Sequence, residues 1–436
     1  MNLLLEMIQQ HKAGKAVGIY SVCSAHPLVL EAALRQGLAD QSAVLIEATS
    51  NQVNQFGGYT GMRPADFREF VLGLAAKTGF AANRLILGGD HLGPNAWKKA
   101  SAATAMAMAG DMVREYVQAG FSKIHLDCSM PCDGDPVPLP DATVASRAAQ
   151  LCAIAEATWR EVGGPAPVYV IGTEVPVPGG AHEDLGELEV TAPQAAQQTL
   201  DVHRRVFAAA GLTDAWPRVI AMVVQPGVEF DHHKVVRYQP QKAAALSAFI
   251  RNEALVFEAH STDYQSDTAL SELVRDHFAI LKVGPGLTFA LREALYALEE
   301  IERETIGASG SSQLKATLTQ VMHEEPDYWL PYYTNQPGHQ QYLDRNYSLS
   351  DRIRYYWPHP KIVAAQNLLF ANLAQQPLLM TLVSQYLPEQ ARKIAEGQLE
   401  ADAHALVIDK IMEVTGSYAR ACGMARRRAV TTETTL

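Results

Sequence analysis

Asp90 and His91 stand side by side at the end of an unbroken apolar run, in Arg84-Leu-Ile-Leu-Gly-Gly-Asp90-His91-Leu-Gly-Pro-Asn95. A carboxylate next to an imidazole offers proton transfer and metal ligation together. The carboxyl end of a buried strand is where parallel α/β enzymes place such groups. Read blandly, Asp90 caps the next helix and His91 is a hydrogen-bonded core polar group. Seven further runs end in the same way. They deliver Ser24 after the first, Glu47 with Asn51 and Gln52 after the second, and Asp127 after the fourth. Glu174 follows the fifth run, Gln225 the sixth, Glu258 and His260 the seventh, and Lys282 with Gly284 and Gly286 the eighth. If one face carries them all, Asp90, Glu47, Asp127 and Glu174 are the candidate catalytic carboxylates. His91, His260 and Glu258 are then the candidate ligands of a divalent metal (Zn, Mn or Mg). So many acids at one mouth demand a cation or dense hydrogen bonding. The competing reading is a network of barrel salt bridges in which Lys282 neutralises one or two of them.

Ser24, Asn51, Gln52 and Lys282 are expected to contact substrate. Gly284 and Gly286 precede a helix and form a natural backbone cradle for phosphate. Downstream, Asp351-Arg-Ile-Arg354 makes Arg352 and Arg354 candidate phosphate clamps, against a bland reading as an exposed helix start capped by Ser350. His125 lies two residues before Asp127 and reads as a core residue one layer down. His232 and His233 read as solvated, and His182 lies on a loop that could close over substrate.

The runs that position these residues are Val17–Val22, Ala43–Ile46, Leu85–Leu87, Ile124–Leu126, Val168–Ile171, Val219–Val224, Leu255–Phe257 and Ile280–Val283. Segments of helical period separate them, including Leu28–Leu38, Pro64–Lys77, Ala102–Gln118, Thr143–Val162 and Pro193–Ala210. Eight strand–helix repeats within about three hundred residues predict an α/β fold of the (β/α)8 TIM-barrel type. Residues 1–304 form this barrel, preceded by an amphipathic helix over Met1–Ala13 with Leu4, Leu5 and Ile8 inward. Strand signals stop after Glu304, so 305–421 reads as a C-terminal helical extension and 422–436 as a disordered tail.

The chain has 436 residues, 48% hydrophobic and 19% charged, the balance of a globular protein. Its net charge of -11 disfavours nucleic acid and anionic membrane as partners, so an anionic substrate must find local donors. Five cysteines without a CxxC pair point to a reducing, cytoplasmic setting. No apolar stretch spans a bilayer, and the first twenty residues have no signal-peptide pattern. A GxGxxG after a strand, a P-loop and a kinase Gly-rich loop are all missing, so neither nicotinamide nor ATP is expected.

Several longer motifs resemble one family. They are Cys23-Ser-Ala-His-Pro27, Ile46-Glu-Ala-Thr-Ser-Asn-Gln52, Phe56-Gly-Gly-Tyr-Thr-Gly61 and Gly88-Gly-Asp-His-Leu-Gly-Pro-Asn95. His125-Leu-Asp-Cys-Ser-Met130, Gly172 to Glu183, Val224-Gln-Pro-Gly-Val-Glu-Phe230 and Phe257-Glu-Ala-His-Ser-Thr-Asp-Tyr-Gln265 belong with them. The family is the accessory (Z) subunit of class II D-tagatose-1,6-bisphosphate aldolase. The resemblance runs to about Leu387 and leaves out the Arg-rich tail after Cys422. It implies a TIM barrel that supports the activity and stability of a separate catalytic (Y) subunit. That enzyme cleaves its substrate to glycerone phosphate and glyceraldehyde 3-phosphate in galactitol and N-acetylgalactosamine catabolism. Some members carry an older label of tagatose-6-phosphate kinase, and members are also linked to C4 epimerisation of ketohexose 6-phosphates. Asp90-His91 resembles the Asp–His pair of catalytic class II aldolases, where Asp transfers a proton and His binds zinc. His260 matches one further ligand, and no third is evident. The resemblance thus implies a ketohexose phosphate as substrate. It leaves two roles open, subunit of the aldolase or stand-alone metal-dependent 4-epimerase, and a Schiff base at Lys282 is a third chemical route. A homo-oligomer remains an open expectation.

Overall fold

The computed structural model describes residues 2–172, 188–333 and 338–424. Eight parallel strands close into a barrel in sequence order, the last pairing with the first. They are Ile19–Val22, Val44–Thr49, Leu85–Asp90, Lys123–Leu126, Val168–Gly172, Val219–Val223, Val256–Ala259 and Phe278–Val283. The (β/α)8 expectation is met. The strand ends differ from it: the second and third strands run on to Thr49 and Asp90, so Glu47 and Asp90 lie within strands rather than beyond them. A polar residue reads as a stop in sequence, whereas in a closed barrel it continues the strand when partners inside satisfy it.

Two glycines before Asp90 look like a turn signal, yet Gly88 stays in the strand and pairs with Glu47. A Cβ there would sit 2.5 Å from Glu47 Oε1 and 2.8 Å from its Cγ. Gly88 therefore makes room for a neighbouring carboxylate and frees no backbone. An unexpected two-stranded hairpin, Glu229–Phe230 with Val235–Val236, follows the sixth strand.

The barrel's inside is layered. Ile19, Leu45, Ile86, Val170, Val256 and Ile280 form an apolar floor with Leu4 and Ile8 of the N-terminal helix Leu3–Lys12. A ten-residue helix is too short to persist alone. Burying Leu4 and Ile8, at about 1.5–3 kcal/mol each, holds it under the barrel; Leu5 is only half-buried. Outside the strands, a larger apolar cluster continues without a break into the extension through Leu314, Trp329, Ile353, Trp357 and Leu406. The C-terminal helix Ala403–Ala421 packs on three barrel helices, Pro27–Asp40, Asp267–Arg275 and Pro285–Ile306. Among the described residues no helix is long and apolar enough to cross a membrane.

Candidate active site

Above the apolar floor lies a layer of fully buried charge. Lys123, on the fourth strand, donates to Glu47 Oε1 at 2.6 Å and pairs with Glu258 at 2.7 Å. Lys282, on the eighth, bonds to Glu47 and reaches Asp90 at 2.9 Å. Ser21 Oγ also donates to Glu47, at 2.5 Å. Burial alone would lower Lys123 and raise Glu258. Their mutual attraction overturns both, so the lysine is raised and the carboxyl held well below its usual range. Lys282 is likewise raised despite burial, by Asp90, Cys23, Glu47 and Glu258. An ammonium so pinned is no free amine, which argues against a Schiff base at Lys282.

The next layer holds the imidazoles. His91 Nδ1 meets Asp127 Oδ2 at 2.7 Å, His125 Nε2 donates to the Gly172 carbonyl at 2.9 Å, and His260 Nε2 meets Glu258 at 3.0 Å. His125 Nδ1 is 3.0 Å and His91 Nε2 3.6 Å from the Asp90 carboxylate. Burial works against charge on Asp90, but His91, Lys282 and His125 outweigh it and hold the carboxyl well below the usual range. Burial likewise opposes charge on Asp127, which His91 and Ser129 nevertheless bring down to about 2.

Asp90, His91, His125 and His260 each offer a ligand atom within 4.8 Å of the others, and all are buried. Three imidazoles, each braced by an oxygen acceptor, fit a zinc-like ion of the catalytic kind, with a position left for substrate. Cys23, Glu47 and Asp90 make a second such group. There Lys282 already sits between Glu47 and Asp90 and takes the cation's place. Burial raises the Cys23 thiol to about 12, so it is no thiolate nucleophile.

A cavity of about 150 Å³ opens above Asp90, His91, His260 and Lys282. Asn51, Gln52 and Gly284 line it as well, and Arg354 and Tyr355 of the extension close its far wall. Gln52 accepts from the Thr49 N–H at 2.9 Å and donates to the Cys23 carbonyl at 3.4 Å. Ser24 does not line the cavity; its hydroxyl accepts from the His26 N–H at 3.2 Å. The cradle expected at Gly284 and Gly286 is filled from within the chain. Both N–H groups donate to Asp263 Oδ1, at 3.0 and 2.7 Å, and burial raises that carboxyl to about 6. Arg352 stacks 3.2 Å above the Tyr332 ring and does not line the cavity. Ser350 is fully buried against Tyr333 rather than capping an exposed helix. His232 is half-buried against Ser350 at 3.0 Å, and exposed His233 pairs with Asp344. Glu174 and His182 lie outside the described residues.

Glu47, Asp90, Asp127, His91, His260, Glu258 and Lys282 thus come together. Glu258 braces His260 and pairs with Lys123, and it stands outside the four-residue ligand group. His125, read as core, takes a place in that group. Lys123 was missed altogether. The signal for both was parity, since Lys123, His125 and Asp127 alternate onto one face of the fourth strand.

A family model described as D-tagatose-1,6-bisphosphate aldolase subunit GatZ/KbaZ-like matches residues 4–423. A solved protein from Sinorhizobium meliloti 1021, described as a probable tagatose 6 phosphate kinase, is 48% identical with TM-score 0.86, covering 93% of this chain and 100% of its own. The fructose-bisphosphate aldolase of Campylobacter jejuni is 12% identical with TM-score 0.46, over 85% of this chain and 94% of its own. The YdjI aldolase of Escherichia coli K12 is 10% identical with TM-score 0.43, over 86% and 98%.

Proposed function

We propose, because this chain belongs to the D-tagatose-1,6-bisphosphate aldolase subunit GatZ/KbaZ-like family, that its barrel mouth performs aldol-type chemistry on a ketohexose phosphate. The reaction is 4-epimerisation of a ketohexose 6-phosphate, with fructose 6-phosphate and tagatose 6-phosphate as the exchanging pair. One observation carries this reading: Asp90 is held ionised amid three braced imidazoles at the floor of an open cavity. A barrel kept only for docking has no use for that arrangement, which costs desolvation of every charged member.

In a 2-ketose the C4 hydrogen is not alpha to the C2 carbonyl, so simple deprotonation cannot invert C4. Breaking and re-forming C3–C4 can. A divalent ion held by His91, His125 and His260 would supply the electrophile for the C2 oxygen. Asp90 takes the O4 proton while C3–C4 breaks, and the electron pair passes into the C2–C3 enediolate. The aldehyde fragment turns, C3 attacks its other face, and Asp90 returns the proton to O4. If the fragment leaves instead, the outcome is aldolase. Lys282, itself held by Glu47, keeps Asp90 in place and charged. Asp127 and Glu258 orient His91 and His260.

The second reading is an accessory subunit that supports a separate catalytic (Y) aldolase subunit, and the description of the matching family favours it. The purified protein, incubated with fructose 6-phosphate and Mg²⁺, Mn²⁺ or Zn²⁺, should yield tagatose 6-phosphate. Asp90→Asn should abolish the product. No product with any metal, together with raised activity of a separate aldolase subunit on mixing, would establish the accessory role instead.

A further inference from the structure

Two cationic side chains line the cavity, and their situations differ. Lys282 is neutralised by Glu47 and Asp90. Arg354, reaching in from the short helical turn Arg352–Tyr355 of the extension, makes no ion pair among the described residues. Its Nη1 donates to the backbone carbonyls of Ser350 and Asp351, and its Nη2 to the Tyr355 hydroxyl at 3.1 Å. Tyr355 and Tyr59, which both line the cavity, meet edge to face at 4.9 Å, and Tyr328 stacks behind Tyr355 at 5.0 Å. The guanidinium is therefore hydrogen-bonded only by neutral groups; the buried carboxylates of Asp263, in the same lining, and Asp351 feel its charge without forming an ion pair with it.

Elsewhere in the same lining, the backbone nest at the end of the eighth strand is closed to anions. Asp263 Oδ1 takes both N–H groups that a phosphate would need. Gly286 also approaches so tightly that a Cβ there would lie 3.0 Å from that oxygen. In a barrel of this type a phosphate is commonly held near the last strands. Here the chain has put its own carboxylate in that place.

We propose that Arg354, flanked by Tyr59 and Tyr355, binds the single phosphate of the substrate, and that Asp263 denies a second phosphate its site. The cavity then selects a ketohexose monophosphate over a bisphosphate, and the helical extension completes the substrate site. This rests on the reading of the cavity as a sugar-phosphate site, but not on turnover there.

Titration calorimetry with inorganic phosphate, fructose 6-phosphate and fructose 1,6-bisphosphate tests it on the full chain. The wild type should bind the monophosphate and gain less than about threefold from the second phosphate. Arg354→Gln should weaken fructose 6-phosphate about thirtyfold, the scale of a lost charge-assisted pair. Arg354→Lys, which keeps the charge should the first variant fold poorly, should lose less. Asp263→Ala should tighten the bisphosphate about tenfold relative to the monophosphate, a step of about 1.4 kcal/mol. Undiminished binding in Arg354→Gln, a wild type that prefers the bisphosphate tenfold, or no binding of any probe would each overturn the proposal. Binding through Arg354 without epimerisation would leave it standing and remove the catalytic reading. Epimerisation in Arg354→Gln at unchanged KM would do the reverse.

Discussion

Replacing Lys123 by Met removes one of two ammonium groups from a layer that holds Glu47, Glu258 and Asp90. Lys123, Glu47 and Glu258 are fully buried, so no water can take over its contacts at 2.6 and 2.7 Å. Breaking a buried pair by deleting one partner costs about 3–5 kcal/mol, because the carboxylates left behind stay desolvated. Lys282 is already committed to Glu47 and Asp90, and it stands 4.0 Å from Glu258, so Glu258 keeps only its His260 contact on Oε1 and its Oε2 becomes the orphan. The sign of the pH dependence follows. In the wild type the depressed Glu258 contributes stability above its unfolded pKa, and this is lost as pH falls through the folded value. In Lys123→Met the folded pKa of Glu258 rises above the unfolded one. Folding then takes up a proton, and the variant's deficit shrinks on acidification. Urea unfolding followed by circular dichroism at pH 8 and pH 5 should therefore show a deficit of about 3–5 kcal/mol at the higher pH and a smaller one at the lower. Adding Glu258→Gln should restore about 1–2 kcal/mol. A variant within about 1 kcal/mol of wild type at both pH values, below the range for an orphaned buried charge, would refute the layered arrangement.

Three further outcomes are expected. Gly88→Ala sets a methyl 2.5 Å from Glu47 Oε1 and should cost about 1–3 kcal/mol; an unchanged melting temperature would count against that contact. Asp127→Asn strips the charge from the brace on His91 Nδ1 and should lower affinity for Zn²⁺ about 10- to 100-fold in chelator competition, whereas unaltered affinity would place the ion elsewhere. Asp263, raised to about 6, penalises folding above that pH by about 3 kcal/mol and relieves it as pH falls toward 4. Asp263→Asn should therefore gain stability at pH 8 relative to pH 5, and a variant that tracks the wild type across that range would contradict the raised value.

Much of this was legible beforehand, for identifiable reasons. Strands buried on both faces read as short apolar runs, so all eight were locatable from hydrophobicity alone. Polar residues at their ends marked the rim, and Asp90-His91 was prominent because a charged pair has no business in a core without function or partners. The boundaries were less legible. Glu47 and Asp90 belong to their strands only because Lys123 and Lys282 satisfy them from across the barrel.

Residue type and alternation settle which side of a strand a group faces, because the period of two is a local property of the backbone. They placed His125 and Asp127 on one face, and the same parity carries the overlooked Lys123 there, but they could not say what that face meets. The closed sheet did: pairing of the third and fourth strands brought His125 to Asp90, 35 residues away in sequence, and closure of the eighth strand on the first brought Lys282 to Glu47, 235 away. The same holds at the mouth, where Asp263 fills a nest that the local Gly-Pro-Gly pattern left apparently open, and Arg354 arrives from beyond the barrel. Whether a carboxylate is a base, a brace or a plug depends on the charges within a few ångströms of it. Those neighbours come from distant segments that meet only when the chain is closed.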